Sequence, residues 1–154
     1  MRIALFPGSF DPITVAHVDI VRRALPLFDQ IVVGIGLNSS KQSFLTAEQR
    51  AEIVSAAFAN DHNIKVQTYY GLTIDFAKEI GASYMVRGIR SSSDFEYERA
   101  IAQINKTMMP ELETIILLSM PEYSAISSTI VRDILRNKGD VSPFVPKETL
   151  NFFK

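Results

Sequence analysis

Polar and cationic side chains follow several short apolar runs of this chain, and their types suit the binding of phosphate. After the first run, Gly8 and Ser9 stand in the segment Pro7–Pro12, where a glycine lets the backbone approach a ligand closely. His17 falls in the first turn of a predicted helix, where free N–H groups and the helix dipole favour an anion. We interpret this segment as a candidate phosphate site; an ordinary turn with an exposed histidine is the alternative.

Three further cations follow other apolar runs. Lys41 stands in a small polar loop, and a solvated loop lysine is the alternative interpretation. Arg87 and Arg90 flank Gly88 and form a candidate anion clamp, since a guanidinium matches the geometry of phosphate. We favour the clamp because Arg87 ends an apolar strand, where a solvated arginine has little reason to be. The alternative is an ion pair of these arginines with Asp94, Glu96 or Glu98.

Three consecutive hydroxyl side chains, Ser127, Ser128 and Thr129, precede the apolar face of another predicted helix. One of them is explained as the N-cap. Three exceed that need and fit a helix N-terminus that receives phosphate oxygens. Tyr123, a few residues earlier, is placed to lie against a planar ring.

Such residues act together only if the fold brings the ends of separate runs to one place. The predicted strands are Arg2–Phe6, Gln30–Ile35, Ile64–Tyr69, Tyr84–Arg87 and Thr114–Leu118. The predicted helices are Thr14–Phe28, one that begins at Thr46, Thr73–Ile80, Asp94–Met108, Ser128–Asn137 and a short one at 146–154. This alternation predicts an α/β fold, a Rossmann-like, doubly wound, five-stranded parallel sheet with helices on both faces. Ligands of such sheets bind outside the carboxyl ends of the strands.

Composition excludes several classes of protein. The chain has 154 residues, which predicts one domain over 1–154. It has no cysteine and two histidines, so disulfides, thiolate nucleophiles and multi-histidine metal sites are excluded. The net charge of -1 provides no field for nucleic acid or an anionic membrane. We find no secretory signal and expect a cytoplasmic protein.

Two nucleotide-binding motifs are also excluded. No G-x-x-x-x-G-K-[ST] sequence occurs, so the chain is not a P-loop enzyme. Gly34-Ile35-Gly36 lacks the third glycine of a dinucleotide fingerprint. Asp11 stands before Pro12 and is interpreted as a turn former rather than a metal ligand.

Four segments together resemble one enzyme family. GSFDPITVAH, the Lys41 loop, VRGIRSSSDFEYE and EYSAISSTIVR are similar to bacterial phosphopantetheine adenylyltransferases, and the similarity extends to about Phe144. Sister nucleotidyltransferases share the histidine and ISST elements but not the RGIR and DFEYE segments. One position departs from the family pattern T-x-G-H, because Ala16 replaces the glycine.

The resemblance implies a reaction. The adenylyl group of ATP is transferred to 4′-phosphopantetheine by direct in-line attack of the acceptor phosphate, which gives dephospho-coenzyme A and pyrophosphate. Mg²⁺ is the implied cofactor, bound mainly through the ATP phosphates. The implied partners are ATP and 4′-phosphopantetheine, with coenzyme A as a possible feedback ligand and a homohexamer as the assembly.

The resemblance also implies the site residues. The catalytic residues would be His17, Lys41 and Arg90. The acceptor would be held by Ser9, Lys41, Thr73 and Arg87. ATP would be bound by Ser9, Phe10, His17, Gly88, Ile89, Arg90, Glu98, Tyr123, Ser124, Ala125, Ile126, Ser127, Ser128 and Thr129.

Two alternatives remain open at this point. One is a sister nucleotidyltransferase with a different phosphorylated acceptor; Lys41, Arg87 and the DFEYE segment argue against it. The other is a non-catalytic nucleotide-binding module. Only Ala16 favours the module, and the presence of His17 and Arg90 argues against it.

Overall fold

A computed structural model describes residues 1–38 and 42–154 of the chain. Its strands are β1 (Ile3–Gly8), β2 (Gln30–Gly36), β3 (Ile64–Tyr69), β4 (Tyr84–Ile89) and β5 (Glu113–Leu118). Its α-helices are α1 (Val15–Ala24), α2 (Ala47–Ala57), α3 (Thr73–Glu79), α4 (Ser92–Met108) and α5 (Ser128–Arg136). Short 3₁₀ helices cover Leu25–Leu27, Pro121–Tyr123 and Lys147–Phe153. No helix in these residues is long and apolar enough to cross a membrane.

All five strands pair in parallel in the order β3-β2-β1-β4-β5. The predicted fold class is thereby confirmed. From β1 the chain adds β2 and then β3 on one side of the sheet. It then crosses to the other side of β1, where β4 and β5 are added. The strand order therefore reverses between β1 and β4, and a crevice opens there at the carboxyl ends of the strands.

Several boundaries differ from the predicted ones, and two of the differences have a clear cause. Helix α1 was expected to reach Phe28 but ends at Ala24, and a 3₁₀ turn that contains Pro26 follows it. Proline has no N–H to continue the α-helical ladder, which explains the early end. Strand β4 continues two residues beyond Arg87, because Gly88 and Ile89 still pair with β5.

Side chains alternate between two apolar layers, one on each face of the sheet. Along β1, Ala4 and Phe6 face α1 and α2, whereas Leu5 faces α3. Strand β2 repeats this alternation, and Val32 lies on the α3 side. Both central strands are thus buried on both faces, which is typical of a parallel sheet covered by helices. A third cluster joins α5 to the chain's last segment through Val131, Val141 and Val145.

Gly34 occupies a place where β2 meets the stacked rings of Tyr69 and Phe76, whose centroids are 4.5 Å apart. A Cβ atom at Gly34 would lie 2.8 Å from Cδ1 of Leu5 and 3.0 Å from Cε1 of Phe76. Packing against α3 therefore requires a glycine here. This packing explains Gly34 without any role in dinucleotide binding.

We predict that Gly34→Ala lowers the free energy of unfolding by about 1–3 kcal/mol, because the added methyl group overpacks a buried contact. Urea unfolding followed by circular dichroism measures this. Ser55→Ala on the exposed side of α2 is the matched control and should change the free energy by less than about 0.5 kcal/mol. Equal stability of Gly34→Ala and the wild type would contradict this packing account.

Candidate active site

The turn after β1 is held through its main-chain carbonyl groups. Side chains from distant elements donate hydrogen bonds of 2.7 to 3.0 Å to four of them. The pairs, donor first, are Arg87 with Pro7, Arg50 with Ser9, Arg132 with Asp11 and Ser128 with Pro12. Contacts from β4, α2 and α5 therefore fix the path of this turn at the centre of the crevice.

The Asp11 side chain adds a contact to the segment that precedes α2. Its two carboxylate oxygens accept hydrogen bonds from the main-chain N–H groups of Phe44 and Leu45, each at 2.8 Å. Asp11 is 7% exposed and so has little access to solvent. The predicted turn former is thus also a tie between the β1 turn and the chain that follows β2.

Phe10 adopts a left-handed backbone conformation with a φ of 47°. Its ring packs against the rings of Phe6 and His17, at centroid distances of 5.7 and 5.3 Å. A Cβ atom at Gly8 would lie 2.9 Å from this ring. Gly8 therefore makes room for Phe10, and Phe10 in turn forms one wall beside the histidine.

His17 takes part in the N-cap of α1. Thr14 is the N-cap residue, and its hydroxyl oxygen accepts from the main-chain N–H of His17 at 3.4 Å. The His17 ring returns the contact, since its Nδ1 accepts the main-chain N–H of Thr14 at 3.0 Å. Histidine here fills the place that glutamate or glutamine takes in the usual capping box. With Nδ1 accepting, the proton of a neutral ring is assigned to Nε2.

Burial, followed by the positive charges of Arg87 and Arg90, lowers the pKa of His17 to about 4. The imidazole is therefore neutral at physiological pH. A neutral ring whose Nδ1 is occupied offers one donor, Nε2–H, to a ligand. His17 can donate a hydrogen bond to an anion but does not itself bring a charge to the site.

Arg87 and Glu98 form a bidentate ion pair. Nε and Nη2 of the guanidinium donate to the two carboxylate oxygens at 2.9 and 2.7 Å, and Nη1 donates to the Pro7 carbonyl. Glu98 is 7% exposed. The ion-pair interpretation of Arg87 is thus confirmed. The arginine also lines the crevice, where its part in an anion clamp stays a prediction.

Arg90 is tied less firmly. The main-chain N–H of Arg90 donates to the Asp94 carboxylate at 2.9 Å, and its Nε lies 3.6 Å from the same oxygen. About 40% of the Arg90 side chain is exposed. Its guanidinium is therefore available at the mouth of the crevice.

The hydroxyl groups at the start of α5 all have partners. Ser127 is the N-cap and accepts from the Ile130 N–H at 3.3 Å. Ser128 donates to Pro12, and Thr129 accepts from Arg132 at 3.1 Å. The hydroxyls thus position the start of α5 against the β1 turn, and Ser127 and Ser128 also line the crevice.

The crevice consists of two cavities that share one wall. The first measures about 470 Å³ and lies between the β1 turn and the starts of α1 and α5. The second measures about 690 Å³ and lies between the ends of β1 and β2, the start of α3 and α4. The shared wall consists of Pro7, Gly8, Ser9, Arg87 and Glu98.

Most of the residues singled out from the sequence lie in these cavities. The first is lined by Ser9, Phe10, His17, Arg87, Gly88, Arg90, Glu98, Ile126, Ser127 and Ser128. The second is lined by Ser9, Thr73, Arg87 and Glu98. The residues outside both linings are Ile89, which is buried, and Tyr123, Ser124, Ala125 and Thr129. Lys41 lies outside the described residues. Ala16, at the position of the family's glycine, faces the first cavity.

Sequence reasoning missed two arginines at this site. Arg132 lines the first cavity, and Arg50 supports the turn from behind. Arg50 had a visible signal, since it shares one face of α2 with Ile53, Val54 and Ala57. A charged residue on an apolar helix face needs a buried polar partner.

Carboxylates of the described residues do not gather into a metal site. These residues contain no group of three or more His, Asp or Glu side chains placed to hold an ion. The carboxylates beside the crevice are engaged by Arg87, Arg90 or main-chain N–H groups. Such a donor set suits a cation that arrives with a polyphosphate and takes most of its ligands from it.

The fold and these cavities define the nucleotidyltransferase class. The cytidylyltransferase-like family model matches residues 5–134, and the chain belongs to that family. Within it, the chain belongs to the phosphopantetheine adenylyltransferases, as its curated relatives show. The protein of that name from Phocaeicola vulgatus is 48% identical over 147 residues, which cover 96% of this chain and 97% of the relative. The one from Levilactobacillus brevis is 45% identical, with 95% and 91% covered.

A solved structure shows the same fold. It is described as a nicotinate-nucleotide adenylyltransferase from Vibrio parahaemolyticus and superposes with a TM-score of 0.72 over 99% of both chains. The two sequences are 20% identical, so this likeness concerns the fold alone.

The low pKa of His17 predicts its titration in the free protein. The ring should stay neutral from pH 8 down to about pH 5, whereas histidine in the unfolded chain takes up its proton near pH 6.5. Unfolded chains therefore bind more protons between these values, and the contribution of His17 lowers the free energy of unfolding as the pH falls from about 6.5 to 4. NMR of the ring in a His62→Gln variant, which leaves one histidine, measures the midpoint. A midpoint above about 6 would contradict this assignment, and the urea-unfolded chain is the control.

Proposed function

We propose that this chain transfers the adenylyl group of ATP to 4′-phosphopantetheine, forming dephospho-coenzyme A and pyrophosphate in coenzyme A biosynthesis. The observation that carries the proposal is the pair of cavities with a common wall at the carboxyl ends of β1 and β4. A direct transfer requires two substrates to meet with their phosphates in line, and the wall is where they would meet. The names of the curated relatives support this reaction.

Bond formation and cleavage occur at the α-phosphorus of ATP. An oxygen of the acceptor phosphate attacks it, the bond to the bridging oxygen of the β-phosphate breaks, and pyrophosphate leaves with the electron pair. Negative charge accumulates on the oxygens of the α-phosphate during the step. His17 donates its Nε2–H to one of these oxygens, and because Nδ1 is fixed by Thr14 the donor is oriented beforehand.

The remaining phosphates of ATP lie toward the start of α5 in this proposal. Arg90, with its exposed guanidinium, neutralises the leaving pyrophosphate. Main-chain N–H groups at the N-terminus of α5, beside Ser127 and Ser128, receive phosphate oxygens. In the adenosine half, Phe10 and Gly88 border the first cavity. Ile89, Glu98, Tyr123, Ser124, Ala125, Ile126 and Thr129 complete the proposed ATP-binding set.

The acceptor occupies the second cavity. Arg87 and Ser9, on the shared wall, hold its phosphate together with Lys41, which lies outside the described residues. Glu98 orients the Arg87 guanidinium by accepting Nε–H and one N–H of Nη2. The Pro7 carbonyl accepts one N–H of Nη1, so one N–H of Nη1 and one of Nη2 are left for the phosphate. Thr73, whose hydroxyl lies 2.9 Å from the Tyr69 hydroxyl, lines the pantetheine side.

Mg²⁺ belongs to the proposal as an ion that the ATP phosphates would bind and whose charge would offset theirs. Water and phosphate oxygens would complete its coordination, since the described residues supply no carboxylate cluster. The protein's part is to place Arg90 and the α5 N-terminus around the same phosphates.

Assembly and feedback extend the proposal. The whole chain, 1–154, acts as one catalytic unit in a homohexamer, supported by exposed apolar side chains such as Leu118 and Ile104, which are 69% and 63% exposed. Coenzyme A would act as a feedback ligand, because it carries the same pantetheine group as the acceptor.

A pyrophosphate-release assay tests the reaction. We expect ATP and Mg²⁺ to yield pyrophosphate with 4′-phosphopantetheine and not with nicotinate mononucleotide or glycerol 3-phosphate. Each acceptor alone, without ATP, is the control. Release with another acceptor would favour a sister transferase, and ATP binding without release from any acceptor would favour a non-catalytic module.

His17→Ala is predicted to lower kcat by about 100- to 1000-fold, the usual loss when one oriented donor to a transition-state anion is removed. ATP affinity should change little, since the donor strengthens mainly as charge develops. Steady-state kinetics and calorimetric ATP binding measure the two effects separately. Retention of kcat would reduce His17 to a capping residue of α1.

A further inference from the structure

Arg50 is a buried cation that the reaction described above does not use. It lies on α2 and is 5% exposed. Within the described residues, its hydrogen bonds go to main-chain carbonyls. Nη1 donates to the carbonyl of Ser9 at 3.0 Å and to that of Gly36 at 3.3 Å. Burial of a charge on neutral partners alone is costly, which points to a role beyond folding.

The two carbonyl groups stand where the β1–β2 ladder ends. The last pairs of the ladder are Pro7 with Gly34 and Gly8 with Ile35. The next pair in the same register would be Ser9 with Gly36, and these are the residues that Arg50 bridges. One guanidinium nitrogen thus sets the separation of two strands at the point where they diverge.

The separation of Ser9 and Gly36 bears on the second cavity, because both residues line it. Ser9 follows β1, Gly36 ends β2, and Leu37 comes next in the lining. On the other side of Ser9 stands Phe10, whose left-handed φ of 47° is flanked by the carbonyls that Arg50 and Arg132 hold. A residue in that conformation persists when its surroundings fix it.

One atom of Arg50 has no partner. Nε is fully buried and forms no hydrogen bond with the described residues. An unsatisfied buried donor reduces stability. Selection for folding alone would favour a side chain without this defect, whereas Nη1 of this arginine donates to both carbonyls.

We propose that Arg50 is a positioning residue for the acceptor half of the site. It fixes the distance between Ser9 and Gly36, and through them the orientation of the acceptor phosphate relative to His17. The inference rests on the proposed function, because it concerns how the second substrate is held.

The test replaces Arg50 by lysine, which keeps the charge but ends in one tetrahedral nitrogen on a shorter side chain, so it does not place its donors where Nη1 lies. We expect Arg50→Lys to lower kcat/KM for 4′-phosphopantetheine by roughly 10- to 100-fold, the effect of a small misplacement of reacting groups. Calorimetric affinity for ATP should stay within about threefold, because Gly36 lines the second cavity and not the first.

Arg22→Lys is the matched control. Arg22 also donates to a main-chain carbonyl, that of Ala57 at the end of α2, and it pairs with Asp61 at 3.0 Å. It lines neither cavity. In this variant, kcat/KM for 4′-phosphopantetheine and the calorimetric affinity for ATP should both remain those of the wild type.

The outcomes separate the two proposals. A wild-type chain that releases no pyrophosphate with 4′-phosphopantetheine overturns the proposed function, and the active acceptor of the panel then replaces it in the Arg50 assay. A folded Arg50→Lys variant with an unchanged acceptor kcat/KM, or with an equal loss of ATP affinity, overturns the positioning role. If Arg50→Lys does not fold, Arg50→Gln is judged by the same criteria, and failure of both to fold shows a purely structural role.

Discussion

The site depends on the four side-chain hydrogen bonds that hold the turn after β1. Without these bonds, the main-chain carbonyls of that turn would lack hydrogen-bond partners. A buried carbonyl without a partner lowers the stability of the fold. Side chains of β4, α2 and α5 supply the partners, and each contact joins segments far apart in sequence. Because the turn carries Ser9, Phe10 and the approach to His17, the same bonds that satisfy the carbonyls also place the chemistry. Rigid support of this kind is what a site that stabilises a transient charge requires.

Electrostatics at the crevice follow from an unequal distribution of charge. The chain carries a net charge of -1, yet Arg87, Arg90 and Arg132 line the first cavity. Glu98 and Asp94 partly offset two of these arginines and orient them. Burial and the arginines keep His17 neutral, so in the proposed reaction it donates a hydrogen bond while the guanidinium groups carry the charge. A global charge balance therefore says little about a local anion site.

Sequence patterns predicted the fold well because each pattern depends only on residues that are close together in the chain. The capping box of Thr46 and Gln49 and the strand Ile64–Tyr69 are where the sequence places them. One error lies where a partner decides the outcome: β4 continues past Arg87 because it pairs with β5. The same distinction holds for the site. A histidine after a turn that contains a glycine can be recognised, but the bonds from Arg50 and Arg132 to that turn span 41 and 121 residues and need the assembled fold.

Structural and functional interpretations of these residues are therefore not exclusive. His17 caps α1 and lines the first cavity, and Arg87 pairs with Glu98 while facing both cavities. Ser128 also lines the first cavity, although its one hydroxyl hydrogen is already donated to Pro12. In His17 and Arg87 the structural bonds use one part of the side chain and leave an N–H free in a defined direction. A donor fixed in this way loses little entropy when a ligand arrives. The contacts that would argue for a merely structural role are the ones that prepare the side chain to bind phosphate.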